Sequence, residues 1–279
     1  MENNTNINWY PGHMAKARRQ MEEQLKLVDI VIELRDARIP AASANPVLAE
    51  LSKNKPVLII LNKADMADSD KLKEWEKQFE HCLIVDSTSD NLSKIVVNEV
   101  KDILKDKLEK AKARGIRKKV LRAMVVGIPN VGKSTFINNI VKKKVAKAEN
   151  RPGVTKSLQW IRINEDVELL DTPGVLWPKI ENQDDARLLG LLGSINDDVL
   201  DKEDLVIFGL NYLRDNYPGL INKRYGVDEN SDNLLDAIGK EKLWLKSDGE
   251  VDYVKTTDSI LKDIRNNKLG RITWQNVGE

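Results

Sequence analysis

The chain has 279 residues, enough for one sizeable α/β domain and a smaller second domain. Its composition, 41% hydrophobic and 32% charged, excludes a disordered chain, and its single cysteine excludes an intramolecular disulfide and suits a reducing compartment. The net charge is +1. Because no apolar run approaches the ~20 residues of a membrane span and no signal peptide is apparent, the sequence predicts a cytoplasmic protein.

Strands and helices alternate through the first 178 residues. Apolar runs rich in β-branched residues predict buried parallel strands at 29–37, 56–65, 82–87 and 120–127. Helices are predicted at 13–26, 69–80, 92–114 and 133–141, and a hairpin at 157–163 and 167–174. This pattern predicts an α/β domain at 1–178, with an N-terminal helix and a mostly parallel sheet covered by helices on both faces. After Pro178 the pattern is helical, which predicts a smaller all-α C-terminal domain at 179–279.

Residues 127–135, GIPNVGKST, follow an apolar strand and begin a predicted helix. Glycines in such a loop let successive backbone N–H groups point at phosphate oxygens, and the helix adds its partly positive N-terminus. Lys133 is expected to neutralise the β- and γ-phosphates, and the Ser134 hydroxyl to ligate Mg²⁺. An ordinary turn with a helix-capping serine is the alternative, but the strand before and the helix after favour a phosphate loop.

Further candidate ligands lie downstream. In VELLDTPG, Asp171 ends a strand and is expected to hold Mg²⁺ through water, while Gly174 can place its N–H against the γ-phosphate. Thr155, in RPGVTKS, is a candidate second Mg²⁺ ligand. Each signal is weak alone, but a phosphate loop, a threonine and Asp-x-x-Gly in this order indicate a nucleoside triphosphate site.

Residues 62–65, Asn-Lys-Ala-Asp, follow another apolar strand and are typical of a guanine-binding loop. The carboxylate of Asp65 can accept hydrogen bonds from both N1–H and the N2 amine of guanine, a donor pair that adenine lacks. The stem of Lys63 can lie along the ring, and Asn62 can tie the loop together and contact the base. Residues 86–88, Asp-Ser-Thr, are expected to direct backbone N–H groups at the guanine O6. A solvated charged turn is the alternative for residues 62–65.

The order of these motifs is the reverse of the ordinary one, in which the phosphate loop opens the fold. Ligands of open parallel sheets bind at the carboxyl ends of the strands, where loops meet whatever their order along the chain. Natural termini that lie close together can be joined, and the chain reopened elsewhere. The sequence therefore predicts a circularly permuted P-loop GTPase domain, with the helix at 92–114 as the joint.

The order NKAD, DST, GIPNVGKST, GVT and DTPG, preceded by NWYPGHMAKA and DARIP, resembles the bacterial ribosome biogenesis GTPase A family of circularly permuted GTPases over nearly the whole chain. The resemblance implies a Ras-like fold and a GTPase that acts in late maturation of the large (50S) ribosomal subunit and is stimulated by that subunit; the predicted ligands make it Mg²⁺-dependent. It also implies a C-terminal domain that contacts RNA. The expected partners are GTP or GDP and the rRNA and proteins of the large subunit, and we expect a monomer.

The group that orients the attacking water is expected outside the Asp-x-x-Gly motif, because Val175 stands where small GTPases place a glutamine. The resemblance implies the histidine of PGHM, His13, with a helix-capping or surface histidine as the alternative. Asn130 matches the position that ligates K⁺ in potassium-dependent relatives, and a turn-stabilising asparagine is an equal alternative. DARIP, at 36–40, is expected to be structural, with Arg38 as a candidate for facing a partner.

The predicted site assigns catalytic roles to His13 and Lys133 and metal ligation to Ser134, Thr155 and Asp171. The nucleotide contacts are assigned to Asn62, Lys63, Ala64, Asp65, Asp86, Ser87, Thr88, Asn130, Val131, Gly132, Lys133, Ser134, Thr135 and Gly174.

Two other functions stay open beside a GTP-hydrolysing assembly factor. One is a GTP-gated RNA- or protein-binding adaptor with negligible turnover, which Val175 favours; the other is an ATPase, which Asp65 disfavours. Residues 101–122 hold ten Lys or Arg against three Asp or Glu, whereas residues 181–279 hold thirteen against twenty. Because the C-terminal part is acidic, RNA contact is expected through its basic run at 262–271 and the N-terminal helix, with solvated helix faces as the alternative.

Overall fold

The computed structural model describes residues 19, 21–52, 54–142, 159–172, 180 and 182–278. Of these, the residues up to 180 and those from 275 onward form one compact unit, and the residues from 182 to 274 form a second. The sequence-based boundaries assign the end of the chain to the helical domain, whereas the structure groups 275–278 with the first unit. The physical reason is that Gln275 is hydrogen-bonded to the loop that follows the first strand.

The first unit contains a six-stranded sheet. Its strands are β1 (Ile30–Asp36), β2 (Val57–Asn62), β3 (Cys82–Ile84), β4 (Leu121–Gly127), β5 (Gln159–Arg162) and β6 (Val167–Asp171). They lie in the order β3-β2-β1-β4-β6-β5, and all neighbours are parallel except β5 and β6. The hairpin expected near the end of the first domain is therefore confirmed as the β5–β6 pair.

The strand register brings the predicted motifs to one edge of the sheet. Asp36 pairs with Asn62 across β1 and β2, and Leu34 pairs with Gly127 across β1 and β4. The carboxyl ends of β1, β2 and β4 therefore lie together, which is where ligands of parallel sheets bind. Only β1 separates the strand of the guanine-binding motif from the strand of the phosphate loop. The permuted fold class is thus confirmed.

Helices cover the sheet on both faces. On one face, Met21, Leu25 and Leu48 of α1 form an apolar cluster with residues of β1, β4 and β6. On the same face, Trp75 of α2 belongs to a second cluster with residues of β2. The opposite face presents Ile32 and Ile60, which are fully buried and so require cover on that side as well. In the described part of this unit, residues 21–25 are helical, and the further helices are α1 (Pro46–Leu51), α2 (Ser69–Glu76), α3 (Leu92–Ile103), α4 (Lys105–Ala113) and α5 (Lys133–Ile140).

The predicted joint at 92–114 is two helices, α3 and α4, and not one. At the break, Leu104 has φ −98° and ψ 16°, although its carbonyl oxygen still accepts the N–H of Leu108. A continuous apolar stripe of α3 is buried, whereas α4 buries only Ala111. Because packing of an apolar face supplies most of the stability of a helix in a protein, the loss of that face after Leu104 accounts for the break.

The second unit is helical, as expected. Four of its helices begin behind an Asn or Asp side chain that accepts hydrogen bonds from the first turn, namely Asn182, Asp201, Asn233 and Asp252. The helices are α6 (Gln183–Leu191), α7 (Lys202–Asn216), α8 (Leu220–Tyr225), α9 (Leu234–Glu241) and α10 (Tyr253–Arg265). Within the described ranges of both units, no helix combines the length and the apolar character needed to cross a bilayer.

Candidate functional site

The loop between β4 and α5 has the backbone geometry of a phosphate cradle. Asn130 and Gly132 have φ values of 60° and 95°, in the left-handed region, which curls the chain. A Cβ on Gly127 would lie 2.9 Å from the carbonyl oxygen of Leu34, and a Cβ on Gly132 would lie 2.4 Å from Nδ2 of Asn62. Both positions therefore require glycine because of close approach to other groups. Since α5 begins directly after Gly132, its helix N-terminus adds a partial positive charge.

Lys133 and Asp171 form a buried ion pair beside this loop. Nζ of Lys133 lies 3.1 Å from Oδ1 of Asp171, and each side chain is 6% exposed. Burial lowers the pKa of Lys133, and the carboxylate of Asp171 opposes that shift. The hydroxyl of Thr172 donates to the carbonyl oxygen of Val125 at 2.7 Å, which fixes the end of β6 against β4. The predicted phosphate ligand and the predicted metal ligand are therefore neighbours.

Two side chains of the guanine-binding motif contact the main chain of the phosphate loop. Nδ2 of Asn62 donates to the carbonyl oxygen of Val131 at 2.8 Å, and Nζ of Lys63 donates to that of Asn130 at 2.7 Å. These pairs are 69 and 67 positions apart in the sequence. The reversed motif order is therefore no obstacle to proximity, and this contact is the geometry that a permuted site requires.

Lys63 is also held by a buried carboxylate. Its Nζ lies 2.8 Å from Oδ2 of Asp36, which also accepts the guanidinium of Arg38 at 2.7 Å. Burial alone would raise the pKa of Asp36, but the charges of Arg38 and Lys63 outweigh it and hold that pKa well below its usual value. Arg38 is only 3% exposed, so the expectation that it faces a partner is wrong. Its contacts agree with the structural role expected for residues 36–40.

Asp36 should make the first unit sensitive to acid. Because its pKa is lower in the folded chain than the ordinary 3.8, its stabilising contribution is complete above about pH 4 and is lost as the pH falls further. Asp36→Asn should remove this part of the acid dependence and lower the free energy of unfolding at neutral pH by about 3 kcal/mol, since Arg38 and Lys63 lose a buried partner. Urea unfolding across this pH range measures both effects. Equal acid dependence in the variant and the wild type would contradict the assignment.

Asp65 lies at the exposed end of the guanine-binding motif. It follows Lys63, whose φ of 63° turns the chain, and it belongs to a short 3₁₀ turn, Ala64–Met66. The N–H of Ala64 donates to the carbonyl oxygen of Val85 at 3.2 Å, which joins the turn to the chain after β3. A contact between Asp65 and a purine stays a prediction.

The backbone donors of the Asp-Ser-Thr loop bind side chains of the protein. The N–H of Ser87 donates to Oδ1 of Asn62 at 3.2 Å, and the N–H of Thr88 donates to Oδ1 of Asp86 at 2.8 Å. These two donors are engaged within the protein, because short polar side chains bind nearby backbone groups in such turns. A contact between this loop and a guanine O6 stays a prediction. The loop instead braces Asn62, and β3 ends at Ile84, earlier than expected.

Comparison with known proteins decides the family. Residues 122–245 match a family model described as 50S ribosome-binding GTPase. The ribosome biogenesis GTPase A proteins of Bacillus pumilus and Bacillus licheniformis are each 45% identical over 276 residues, covering 96% of this chain and 98% of theirs. The chain belongs to the ribosome biogenesis GTPase A family. The crystal structure of GNP-bound YlqF from T. maritima shares the fold, with a TM-score of 0.68 at 24% identity, covering 95% of this chain and 99% of that chain.

Several residues assigned to the family-type site lie outside the described part of the chain. These are His13, Thr155 and Gly174, together with Val175. Their roles stay predictions. Thr135, at the start of α5, is exposed in the structure.

The described residues fit a magnesium ion. The hydroxyl of Ser134 and the carboxylate of Asp171 are oxygen donors of the kind that Mg²⁺ prefers. Ser134 follows Lys133 in the first turn of α5, and Nζ of Lys133 contacts Asp171. Lys133 therefore links the two oxygen donors, since it is bonded to Ser134 along the chain and contacts Asp171 through its side chain.

Sequence reasoning missed the residues that hold the site together. Asn139 of α5 donates through Nδ2 to the carbonyl oxygens of Ser87 and Ser89, at 2.6 and 3.0 Å. The ion pair between Asp36 and Lys63 was not predicted from the sequence either. The adjacency of DARIP to a strand end was the available signal for Asp36, but an asparagine inside a helix gives no comparable signal.

Proposed function

We propose that this family member hydrolyses GTP and acts in late maturation of the 50S subunit, which stimulates its hydrolysis. The proposal depends most on the hydrogen bonds from Asn62 and Lys63 to the main chain of the phosphate loop. They support a single site, in which one nucleotide would contact Asp65 at the base and residues 127–135 at the phosphates. The names of the Bacillus relatives support the role in ribosome assembly.

The chemistry that we propose uses positioning and charge. The N–H groups of the loop and Lys133 would bind the β- and γ-phosphates, so that Lys133 exchanges its contact with Asp171 for phosphate oxygens. Asp171 and Ser134 would then hold Mg²⁺, with Thr155 as a further ligand. When bound, Mg²⁺ neutralises charge on the β- and γ-phosphates. Asn130 is proposed as a ligand of K⁺, which would supply a positive charge beside the phosphates.

His13 is proposed to orient the attacking water. Replacing it with alanine should lower the rate of GTP hydrolysis on the large subunit by about 100-fold, the order expected for loss of a positioned catalytic group, with the GTP affinity unchanged. His81→Ala is the matched control, because the chain has only two histidines. Hydrolysis is measured with and without large subunits, in K⁺ and in Na⁺. The wild type should be fastest with large subunits in K⁺.

A GTP-gated adaptor with negligible turnover is the second candidate. Equal, very slow hydrolysis under all four conditions, together with tight binding to the large subunit when GTP is present, would favour the adaptor. An equal loss of activity in both histidine variants would contradict the proposed role of His13. Hydrolysis of ATP at the rate of GTP would instead favour the ATPase.

Contact with rRNA phosphates is proposed for surface cations. Half of the cations in the run 101–122 are ion-paired within the first unit. In the described part of the chain the other five have no ion-pair partner, and three of them lie on α4, which is exposed on nearly all sides. The five are Lys105, Lys110, Lys112, Arg114 and Arg117. In the expected run at 262–271, Arg265 is paired with Asp197. Lys262, Lys268 and Arg271 of that run are exposed, so it keeps three cations against five at 101–122, and both runs are proposed for phosphate contacts.

A further inference from the structure

The C-terminal tail is anchored in the first unit by specific hydrogen bonds. Oε1 of Gln275 accepts the backbone N–H groups of Ala41 and Ala42, each at 3.0 Å. The indole N–H of Trp75 donates to the main-chain oxygen of Gln275 at 3.3 Å. Val277 packs against the apolar cluster that contains Trp75. The tail therefore contacts both the loop after β1 and helix α2.

The loop that receives Gln275 also holds Asp36. The hydroxyl of Ser43 donates to the carbonyl oxygen of Ile39 at 2.6 Å and accepts the N–H of Asp36 at 3.0 Å. Asp36 in turn contacts Nζ of Lys63 at 2.8 Å. A short series of hydrogen-bonded and covalent links thus connects Gln275 to the guanine-binding motif.

Burial gives these tail contacts their importance. Ala42 is 2% exposed and Trp75 is 7% exposed. Removal of the Gln275 side chain would leave two adjacent N–H groups, one of them well buried, without their acceptor, and such groups are costly to leave unpaired. Trp75 lies on α2, the helix that follows the guanine-binding motif along the chain. The tail is therefore placed to fix the positions of the segments that follow β1 and β2.

We propose that residues 275–277 form a strap that positions the guanine-binding loop, with Gln275 as the positioning residue. This inference rests on the proposed binding of GTP. The strap follows Trp274, the last residue of the second unit, so guanine affinity depends on a segment that the chain reaches only after completing that unit.

The test compares full-length variants in guanine nucleotide binding and hydrolysis. Gln275→Ala should raise the Kd for GDP and the KM for GTP about tenfold, since a tenfold change corresponds to about 1.4 kcal/mol, the order of one lost hydrogen bond. The kcat at saturating GTP should stay within about twofold, because no phosphate contact changes. Gln275→Glu keeps an acceptor and should restore both constants. Gln78→Ala, an exposed glutamine next to α2, should behave as the wild type.

A second variant guards against a folding defect. Val277→Ser removes the apolar anchor and leaves the Gln275 side chain intact, and it should raise the Kd for GDP by about threefold, in line with partial loss of a buried apolar contact. If folded Gln275→Ala binds GDP with the wild-type Kd, whether or not its melting temperature is lower, the strap alone is overturned. Failure of the wild type to bind GDP would overturn the proposed function and the strap together.

Discussion

Replacing Lys133 with methionine should weaken GTP binding by about 100-fold, which corresponds to about 3 kcal/mol for a buried charge that loses its phosphate partners. The lysine is nearly fully buried at the start of α5, and its charged end lies 3.1 Å from Asp171. Methionine keeps most of the length and apolar contact of the stem, so the change isolates the charge. Titration with a fluorescent GTP analogue measures the loss, and hydrolysis should fall further because the transferring phosphoryl group also loses this contact.

Lys94→Met is the matched control for this prediction. Lys94 is exposed on α3, where a positive charge has no role in the proposed site. A thermal melt of Lys133→Met checks folding, because the change also leaves Asp171 without its buried partner. Retention of wild-type GTP affinity by folded Lys133→Met would contradict the assignment of residues 127–135 as the phosphate loop.

Asp65→Asn should exchange guanine for xanthine as the preferred base. Guanine has an amine at position 2, which would donate a hydrogen bond to the Asp65 carboxylate. Xanthine has a carbonyl oxygen there, which would accept a hydrogen bond from an asparagine amide. Loss of a charge-assisted pair of hydrogen bonds should weaken GTP binding by about 3 kcal/mol, or roughly 100-fold, and XTP binding should strengthen by a similar factor. Competition between GTP and XTP in the same titration measures the ratio directly.

The control is Asp70→Asn on α2. Asp70 is exposed, lies close to Asp65 in the sequence, and contacts only the exposed Lys73 in its ion pair. This variant should keep the preference for GTP. If Asp65→Asn prefers GTP as the wild type does, then Asp65 does not recognise the base and NKAD is a solvated turn.

Motifs on regular elements were predictable from the sequence because strand periodicity and loop chemistry are local. The runs that became β1, β2 and β4 are continuous and apolar, and Gly127 and Gly132 have geometric requirements that only glycine meets. The parallel register then follows from the fold class. In these places local preference and tertiary structure agree.

Tertiary partners decided the features that were wrong or missed. Leu104 breaks the joint because α4 has almost no apolar face to bury, a property that depends on the neighbouring elements. The backbone donors of Ser87 and Thr88 are engaged because Asn62 and Asp86 lie within reach, and their positions are set by the sheet. Gln275 bonds to residues 233 and 234 positions away, which no local pattern can indicate.

The permuted order has a simple physical basis in the structure. A parallel sheet gathers the carboxyl ends of its strands at one edge, so Asn62 meets Val131 whichever strand the chain visits first. The requirement for a functional site is thus spatial and not sequential. Lys63 donates charge-assisted hydrogen bonds to Asp36 and to the carbonyl oxygen of Asn130, and these bonds stabilise the contact between the guanine-binding motif and the phosphate loop.

The most direct test is a crystal structure of this chain with a hydrolysis-resistant GTP analogue and Mg²⁺. The account predicts hydrogen bonds of about 2.7–3.2 Å from guanine N1 and N2 to the carboxylate of Asp65, with Nζ of Lys133 in contact with the phosphates of the same molecule. A nucleotide whose phosphates bind Lys133 while its base lies away from Asp65 would contradict the claim that the two loops serve one ligand.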